Sequence, residues 1–428
     1  MKKTVTTLGL TLMLSSAAYA TNITTLLNAL AHRPENRLDM LAIQKSALGE
    51  QAISDKLLPS ANLHLGYEIY NSPNGMVPVP PNELIHMVQN NPAVPQPFAK
   101  QIMREGASFT WPIFIKSIFT LKEKARLLHL AAREKQKLSL IQREAVVVGS
   151  VAQLRYLEAL KVALKAKKRS ILQTAESTKL KVKEGRVPES ALFVLDSHIS
   201  DLDISLNTID QNINLLTSKI ETLTGVHLRH SVPLRLRHMV RKGEIFALKP
   251  LDAKVKASQK ALQAADEAYL PSVVTKGSYN YSQADAYNNG NRLHEGFGSA
   301  GIYLNMPIFD HSKTTASQMA KVSYMEEKTA YEKTKHALSV QASQLTREIA
   351  LLKRSVVLAR QSVANQKKLL KIAKVSFANG NITEEEYLRY EDALANARAN
   401  LYNFQAKQWQ DVAQLAVIYG NDMKRIVQ

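Results

Sequence analysis

Three histidines stand close together in the stretch GVHLRHSVPLRLRH: His227, His230 and His238. Imidazoles at short spacing are common ligands for a divalent metal. Here Arg229, Arg235, Arg237, Arg241 and Lys242 surround them. That crowd of cations disfavours another cation, and the segment offers neither a carboxylate nor a helical spacing to complete a ligand set. It reads instead as an exposed basic linker, and no metal is expected. The other acid-base cluster, Glu385, Glu386 and Arg389, follows a glycine at a helix break. No nucleophile elbow, phosphate-binding loop or dinucleotide glycine pattern occurs. The chain has no cysteine, which removes disulfides, thiolate catalysis, thiolate zinc sites and lipid anchoring through an N-terminal cysteine. The expectation is a protein without catalytic residues or cofactor, whose work is done by shape.

The chain has 428 residues and a formal charge of +19. Residues 1–20 have the form of a secretory signal. Lys2 and Lys3 precede the mostly apolar run Leu8–Leu14, and Ala18-Tyr19-Ala20 supplies a small-x-small cleavage site. The run is too short to span a bilayer, which needs roughly 20 apolar residues. No later stretch qualifies. Export argues against nucleic acid as a partner; solvated basic faces or contact with anionic lipid or cell wall better explain the charge.

The sequence is written twice. Pro112-Ile113-Phe114 returns as Pro307-Ile308-Phe309, Gly185 as Gly380 and Gly225 as Gly420, each pair 195 residues apart. Leu58-Pro59-Ser60 and Leu270-Pro271-Ser272 are 212 apart, which assigns 17 extra residues to the first copy between Ser60 and Pro112. Their contents are rich in Pro and Asn and predict an exposed loop over 71–102. An internal duplication follows. The first repeat covers 21–248, with a β-hairpin at 61–115 and a break near 185. The second covers 249–428, with a hairpin at 272–306 and a break near 380.

The hairpin segments alternate with period two. Leu63, Leu65, Tyr67 and Ile69 oppose Asn62, His64, Gly66 and Glu68, and Phe109, Trp111 and Ile113 oppose Ser108, Thr110 and Phe114. In the second copy Val273, Tyr279 and Tyr281 oppose Lys276, Ser278 and Asn280, and Ala300, Ile302, Leu304 and Met306 oppose Gly301, Tyr303 and Asn305. Two readings are open. One is a pair of hairpins resting on a soluble core; the other is strands with lipid on one side and water on the other.

Each hairpin is followed by 73 residues of helical pattern, from Pro112 to Gly185 and from Pro307 to Gly380, or roughly 110 Å at 1.5 Å per residue. Ala131, Leu138, Ala145, Ala152, Ala159 and Ala166 repeat every seven residues. Small residues at that period predict close, left-handed supercoiled packing. One further helix is expected over 24–57, before the first hairpin. Gly185 and Gly380 are read as the turns of helical hairpins, with Gly380 at positive φ. Thr383 and Glu386 have capping-box spacing for the returning helix, and Pro188 suits a first helical turn.

Together these segments resemble the TolC-like outer-membrane efflux protein family, the outer membrane factors, over essentially the whole mature chain. The matching residues are LLPS and YLPS where helix passes to strand, and PIF and PIFD where strand returns to helix. The glycine-centred turn segments KVKEGRVPES and KVSFANGNITEEEY and the endings LTG and IYG complete the pattern. The resemblance implies a mainly α fold with a small β part: a long α-helical coiled-coil barrel joined to a trimeric 12-stranded transmembrane β-barrel, four strands per chain. It implies a homotrimer in outer-membrane lipid with its helices in the periplasm. That trimer would be a passive duct for efflux or type I secretion, coupled to a periplasmic adaptor (membrane fusion) protein and an inner-membrane pump of RND or ABC type. The family's turn segments correspond to Phe377, Asn379, Gly380 and Gly185, which would meet the adaptor. Acidic residues often stand six and nine positions after the family's second turn glycine. Here those positions hold Glu386 and Arg389, and Ala191 stands six after the first. An entrance gate at Glu385, Glu386 and Arg389 and a plain helix cap at Glu386 are both open. The competing class is a non-channel periplasmic or surface coiled-coil structural or adaptor protein.

Overall fold

The computed structural model describes residues 22–90 and 93–428. The signal expected over 1–20 and the start of the mature chain near Thr21 lie outside the described residues. The elements in chain order are α1 (Ile23–Ala29), α2 (Pro34–Asp55), β1 (Ser60–Gly75), α3 (Pro81–Asn90), β2 (Phe98–Ile115), α4 (Lys116–Lys183) and α5 (Ser190–Thr224). They continue with α6 (Lys249–Asp266), β3 (Ser272–Asp285), β4 (Arg292–Asn305), α7 (His311–Ala378), α8 (Glu384–Tyr419) and α9 (Met423–Ile426). The fold is mainly helical, with one small antiparallel sheet. No helix among the described residues is long and apolar enough to cross a membrane.

Each compact unit draws on both halves of the chain. One unit holds residues 40–135 and 248–334, and its centre is the sheet, in strand order β1-β2-β3-β4 with every pair antiparallel. β2 contains Pro112, which cannot donate to a ladder, and the pairing with β3 slips there, between Pro112 and Phe114. At the next strand-to-helix passage the Asp310 side chain accepts from the Ser312 backbone N–H (3.0 Å), and Tyr269 Oη donates to the Asp310 carbonyl (2.6 Å).

The expected loop over 71–102 is corrected. β1 runs on to Gly75, β2 begins at Phe98, and α3 lies between them. Met76, Ala99, Ile102 and Ala284 bury one another there. Arg104 fixes this end of the sheet: it pairs with Glu68 (2.7 Å) and donates to the carbonyls of Gly75 (2.8 Å) and Met76 (3.0 Å). Period-two alternation ends at Ile69 because the pairing of β1 with β2 slips between Ile69 and Asn74, and the carbonyls that Arg104 holds beyond it leave no trace in sequence.

The other unit holds residues 22–39, 136–247 and 335–428. Its core joins Ile23, Leu26 and Leu27 of α1 to Val147, Val151 and Leu154 of α4, Val412 and Ala416 of α8, and Met423 and Ile426 of α9. The single helix expected over 24–57 is two helices. Arg33 is extended (φ −80°, ψ 153°) because Pro34 disfavours helical geometry in the residue before it. Of the residues spaced by seven on α4, Ala131, Ala145, Ala152 and Ala166 are buried while Leu138 and Ala159 are only partly so, and Ala166, with Ala163 from outside that series, meets Ala395 and Ala399 of α8. The linker over 226–245 is not simply exposed. Leu228 and Val232 enter the core, the Ser231 backbone N–H donates to Glu158 (2.9 Å), and Arg235 and Gln428 exchange two backbone hydrogen bonds of 2.9 Å.

Candidate functional site

The sheet presents two unlike faces. On one, Leu63 is 89% exposed, Ile69 71%, Ile302 73% and Leu304 71%, far more apolar surface than water-facing strands carry by chance. Register places them in rows: Trp111 lies beside Thr275 and then Ile302, and Ala107 beside Tyr279 and then Gly298. The Tyr279 ring covers Gly298, where an added Cβ would stand 3.3 Å from its Cδ2, so an aromatic supplies the packing the glycine lacks. No helix of this unit seals that face from solvent, since its large side chains stay exposed.

The other face is polar. His64 Nε2 and Asn280 Oδ1 are 2.7 Å apart across the intervening Gly106, and Ser278 and Ser299 hydroxyls are 3.1 Å apart. An added Cβ at Gly106 would lie 2.5 Å from Asn280 Oδ1 and 2.8 Å from the His64 ring, so the absent side chain is what lets that bridge close. β1 and β4 are both edge strands. Each leaves one row of backbone donors and acceptors unpaired within the chain.

The helix turns form a matched pair in the helical unit. Gly185 and Gly380 have φ of +71° and +74°. At the second turn the Gly380 N–H donates to the Phe377 carbonyl (3.0 Å) and the Asn381 N–H to the Ser376 carbonyl (2.8 Å). At the first, Gly185 donates to Val182 and Arg186 to Lys181, both at 2.9 Å. Each is a Schellman termination, which satisfies the last carbonyls of the long helix. The Asn379 N–H still makes a helical bond to Val375 (3.1 Å). Pro188 stands just outside α5 rather than in its first turn, and its carbonyl accepts from the Ala191 N–H (3.1 Å).

Glu386 and Thr383 make the reciprocal capping box: the Thr383 N–H donates to Glu386 (3.0 Å) and the Glu386 N–H to Thr383 Oγ1 (3.2 Å). Glu385 pairs with Arg389 at 2.7 Å, one helical turn on. The three residues therefore have partners on their own helix end. Sequence reading missed Tyr387, whose ring stacks on Phe377 across the turn at 5.3 Å and whose hydroxyl reaches Glu391 (3.3 Å). The aromatic four positions after Thr383 was the available signal. Arg169 of α4 lies 3.4 Å from the same Glu391.

The three histidines of the linker go separate ways. His227 Nδ1 pairs with Glu221 (2.8 Å) and His230 Nδ1 lies 3.7 Å from Glu158. Among the described residues no group of three or more His, Asp or Glu is placed to hold a metal. A different acid emerges from the fold. Glu144 is 2% exposed and accepts from the Met423 N–H at 3.1 Å. Burial, then the neighbouring Asp422 carboxylate, push its carboxyl up to about 7. In the same unit burial, then Glu348, raise Asp411 to about 6.

Residues 245–421 match the family described as outer membrane efflux protein. No curated protein matches the chain by sequence. Solved structures share its fold at low identity. The outer membrane protein VceC from Vibrio cholerae aligns with TM-score 0.70 and 15% identity over 93% of this chain and 96% of that one. The Campylobacter jejuni CmeC outer membrane channel aligns with TM-score 0.70 and 14% identity over 94% and 85%. The open-state Neisseria gonorrhoeae MtrE outer membrane channel aligns with TM-score 0.69 and 15% identity over 95% and 91%.

Proposed function

We propose, from the match of residues 245–421 to the outer membrane efflux protein family and the fold shared with solved outer-membrane channels, that the chain is one protomer of a homotrimeric, passive exit duct. The observation that carries this reading is the sheet. It has an exposed apolar face, a polar face and two open edges. In lipid an open edge leaves backbone groups without partners, at several kcal/mol each. Four strands are too few to close on themselves, whereas three copies joined β4 to β1 supply a barrel of twelve.

The dimensions agree with a membrane band. From the row of Val273 and Leu304 to the row of Tyr281 the sheet spans eight residues, about 27 Å along the strand. A tilt of about 40° shortens this to about 21 Å, close to the roughly 25 Å apolar band of outer-membrane barrels. The His64, Asn280 and Ser278 face would then line water. The helical hairpins that end at Gly185 and Gly380 form the periplasmic part, with Phe377, Asn379 and both glycines available to an adaptor. An inner-membrane pump, of RND or ABC type, would supply the energy. Glu385, Glu386 and Arg389 would sit beside the entrance. The full division into a first repeat ending at 248 and a second beginning at 249 belongs to the same reading: each repeat contributes one hairpin to the barrel and one to the duct.

Fractionating cells and cross-linking the protein in mild detergent tests this. A trimer recovered from the outer membrane is expected. A dominant monomer that still conducts ions in a planar bilayer would overturn it.

A further inference from the structure

In the helical unit two cavities are lined by the linker between the repeats, and Met239 is common to both. The first, of about 680 Å³, lies among the linker, α7 and α8. Its walls are apolar, with Leu236, Met239, Ile349, Val412 and the flat ring of Trp409. Its rim carries Arg235, Lys242, Lys353 and Arg360, and it has no acidic residue. The second, of about 540 Å³, is cationic: Arg237, Arg241, Lys424, Arg425 and His238 line it with a single acid, Asp422.

That acid is already engaged. Asp422 accepts from the Lys424 backbone N–H (2.8 Å) at the start of α9 and stands beside Glu144. Among the described residues no carboxylate forms an ion pair with Arg235, Arg237, Arg241, Lys242, Lys353, Arg360, Lys424 or Arg425. Concentrating unpaired cations costs self-repulsion that an anion relieves. A volume of about 680 Å³ falls in the range of small-molecule sites, roughly 300–1,000 Å³. The backbone on which the cations stand is held in place: Arg235 pairs with Gln428, Arg237 donates to the Ile426 carbonyl (2.8 Å), and the Arg241 N–H donates to Asn421 (3.0 Å).

We propose that this paired cavity binds an acidic amphiphile, a single alkyl chain carrying a phosphate head. The tail lies against Trp409, Ile349 and Val412, and the head sits among Arg237, Arg241 and Arg425. Phosphate suits the head because planar guanidinium groups bind its oxygens two at a time. None of the residues lining the site belongs to the sheet or to the Gly185 and Gly380 turns, so it stands or falls independently of the exit-duct reading.

The chain's two tryptophans, Trp111 and Trp409, make the test direct. Full-length protein with Trp111→Phe, reconstituted in zwitterionic nanodiscs, is titrated with octyl phosphate while Trp409 emission is followed. Octyl glucoside supplies the tail without the charge, and inorganic phosphate the charge without the tail. The expected result is saturable binding of octyl phosphate, at least tenfold tighter than either control. Arg237→Glu with Arg425→Glu should weaken it at least tenfold, with the helical circular dichroism unchanged since both side chains are exposed. Val412→Phe, which fills the tail cavity, should abolish it; should that variant fail to fold, Ile349→Phe serves instead. Equal binding of octyl glucoside reduces the cavity to an apolar groove, and equal binding of inorganic phosphate reduces it to a lone anion site. Either result overturns the proposal. So does an Arg241→Cys variant that cross-links to a second copy while the protein ignores octyl phosphate, because the groove is then an interface.

Discussion

Gly380→Val separates a local defect from a global one. At φ +74° an ideal Cβ on Gly380 has no atom within 4 Å, so crowding adds nothing. The cost is backbone strain alone. It is about 1–2 kcal/mol for an L-residue in left-handed geometry, rising to about 3 kcal/mol for a β-branched one. The strain falls on the two turn hydrogen bonds, Gly380 to Phe377 and Asn381 to Ser376, and on the Phe377–Tyr387 stack beside them. None of the core residues around α1 and α9 is involved. Gly420→Ala is the contrasting variant. Its φ is +70°, but its Cβ would stand 2.5 Å from Phe246 Cβ and 2.7 Å from Cδ1. Overpacking adds about 1–3 kcal/mol to a similar strain. Gly380→Val is therefore expected to reach the outer membrane at normal levels and melt near the parent temperature. On the exit-duct proposal, cells carrying it should lose export, read as sensitivity across a panel of dyes, detergents, antibiotics and metals equal to that of a deletion. Gly420→Ala should melt lower and accumulate less. If Gly380→Val melts as low as Gly420→Ala, the turn is not the free-standing element described here. If it exports normally, the turn is not where the proposed duct meets its proposed adaptor.

Other outcomes follow from particular contacts. Glu144 has a folded pKa of about 7, above the ordinary carboxylate value of 4.5, so the native state holds its proton where the unfolded chain has lost it. Its contribution to stability is therefore undiminished below about pH 4.5 and declines as pH rises to about 7, by up to about 3 kcal/mol. Glu144→Gln keeps an acceptor for the Met423 N–H and should melt higher than the parent at pH 8 but not at pH 4.5; equal melting at both would show that this carboxyl is not buried with its proton. Arg104→Ala removes the donor to the Gly75 carbonyl and the cation beside Glu68, leaving the Met76 carbonyl held only by Ser282 and Glu68 only by Tyr70, so limited proteolysis should cut after Gly75 sooner, without loss of secondary structure by circular dichroism. Glu386→Ala should cost about 1 kcal/mol or less through the cap with unchanged single-channel conductance; raised conductance would instead assign the residue to the entrance gate.

Much of this molecule is written in one dimension. The glycines of the two turns, the capping box at Thr383 and Glu386, and the alternation from Leu63 to Ile69 are local or periodic features, and local geometry follows from a few neighbouring residues. The paired helices of 68 residues, α4 and α7, are likewise announced by a pattern repeated at constant spacing. Arg33 breaks the helix expected over 24–57 because Pro34 follows it, a local signal present in the sequence. Other features depend on residues that sequence does not bring together. β1 loses its alternation beyond Ile69 where its pairing with β2 slips before Asn74, and Arg104 holds carbonyls there, a group that is the same in every residue. The buried Glu144 looks like one more helical acid until α9, 279 residues later in the chain, covers it. The linker read as a solvated basic run became a cavity wall once its backbone paired with the C-terminal segment. Side-chain type and spacing determined which segments are helix, strand and turn. Which polar groups are left without water was decided only by long-range burial, because desolvation belongs to a place in three dimensions and not to a residue.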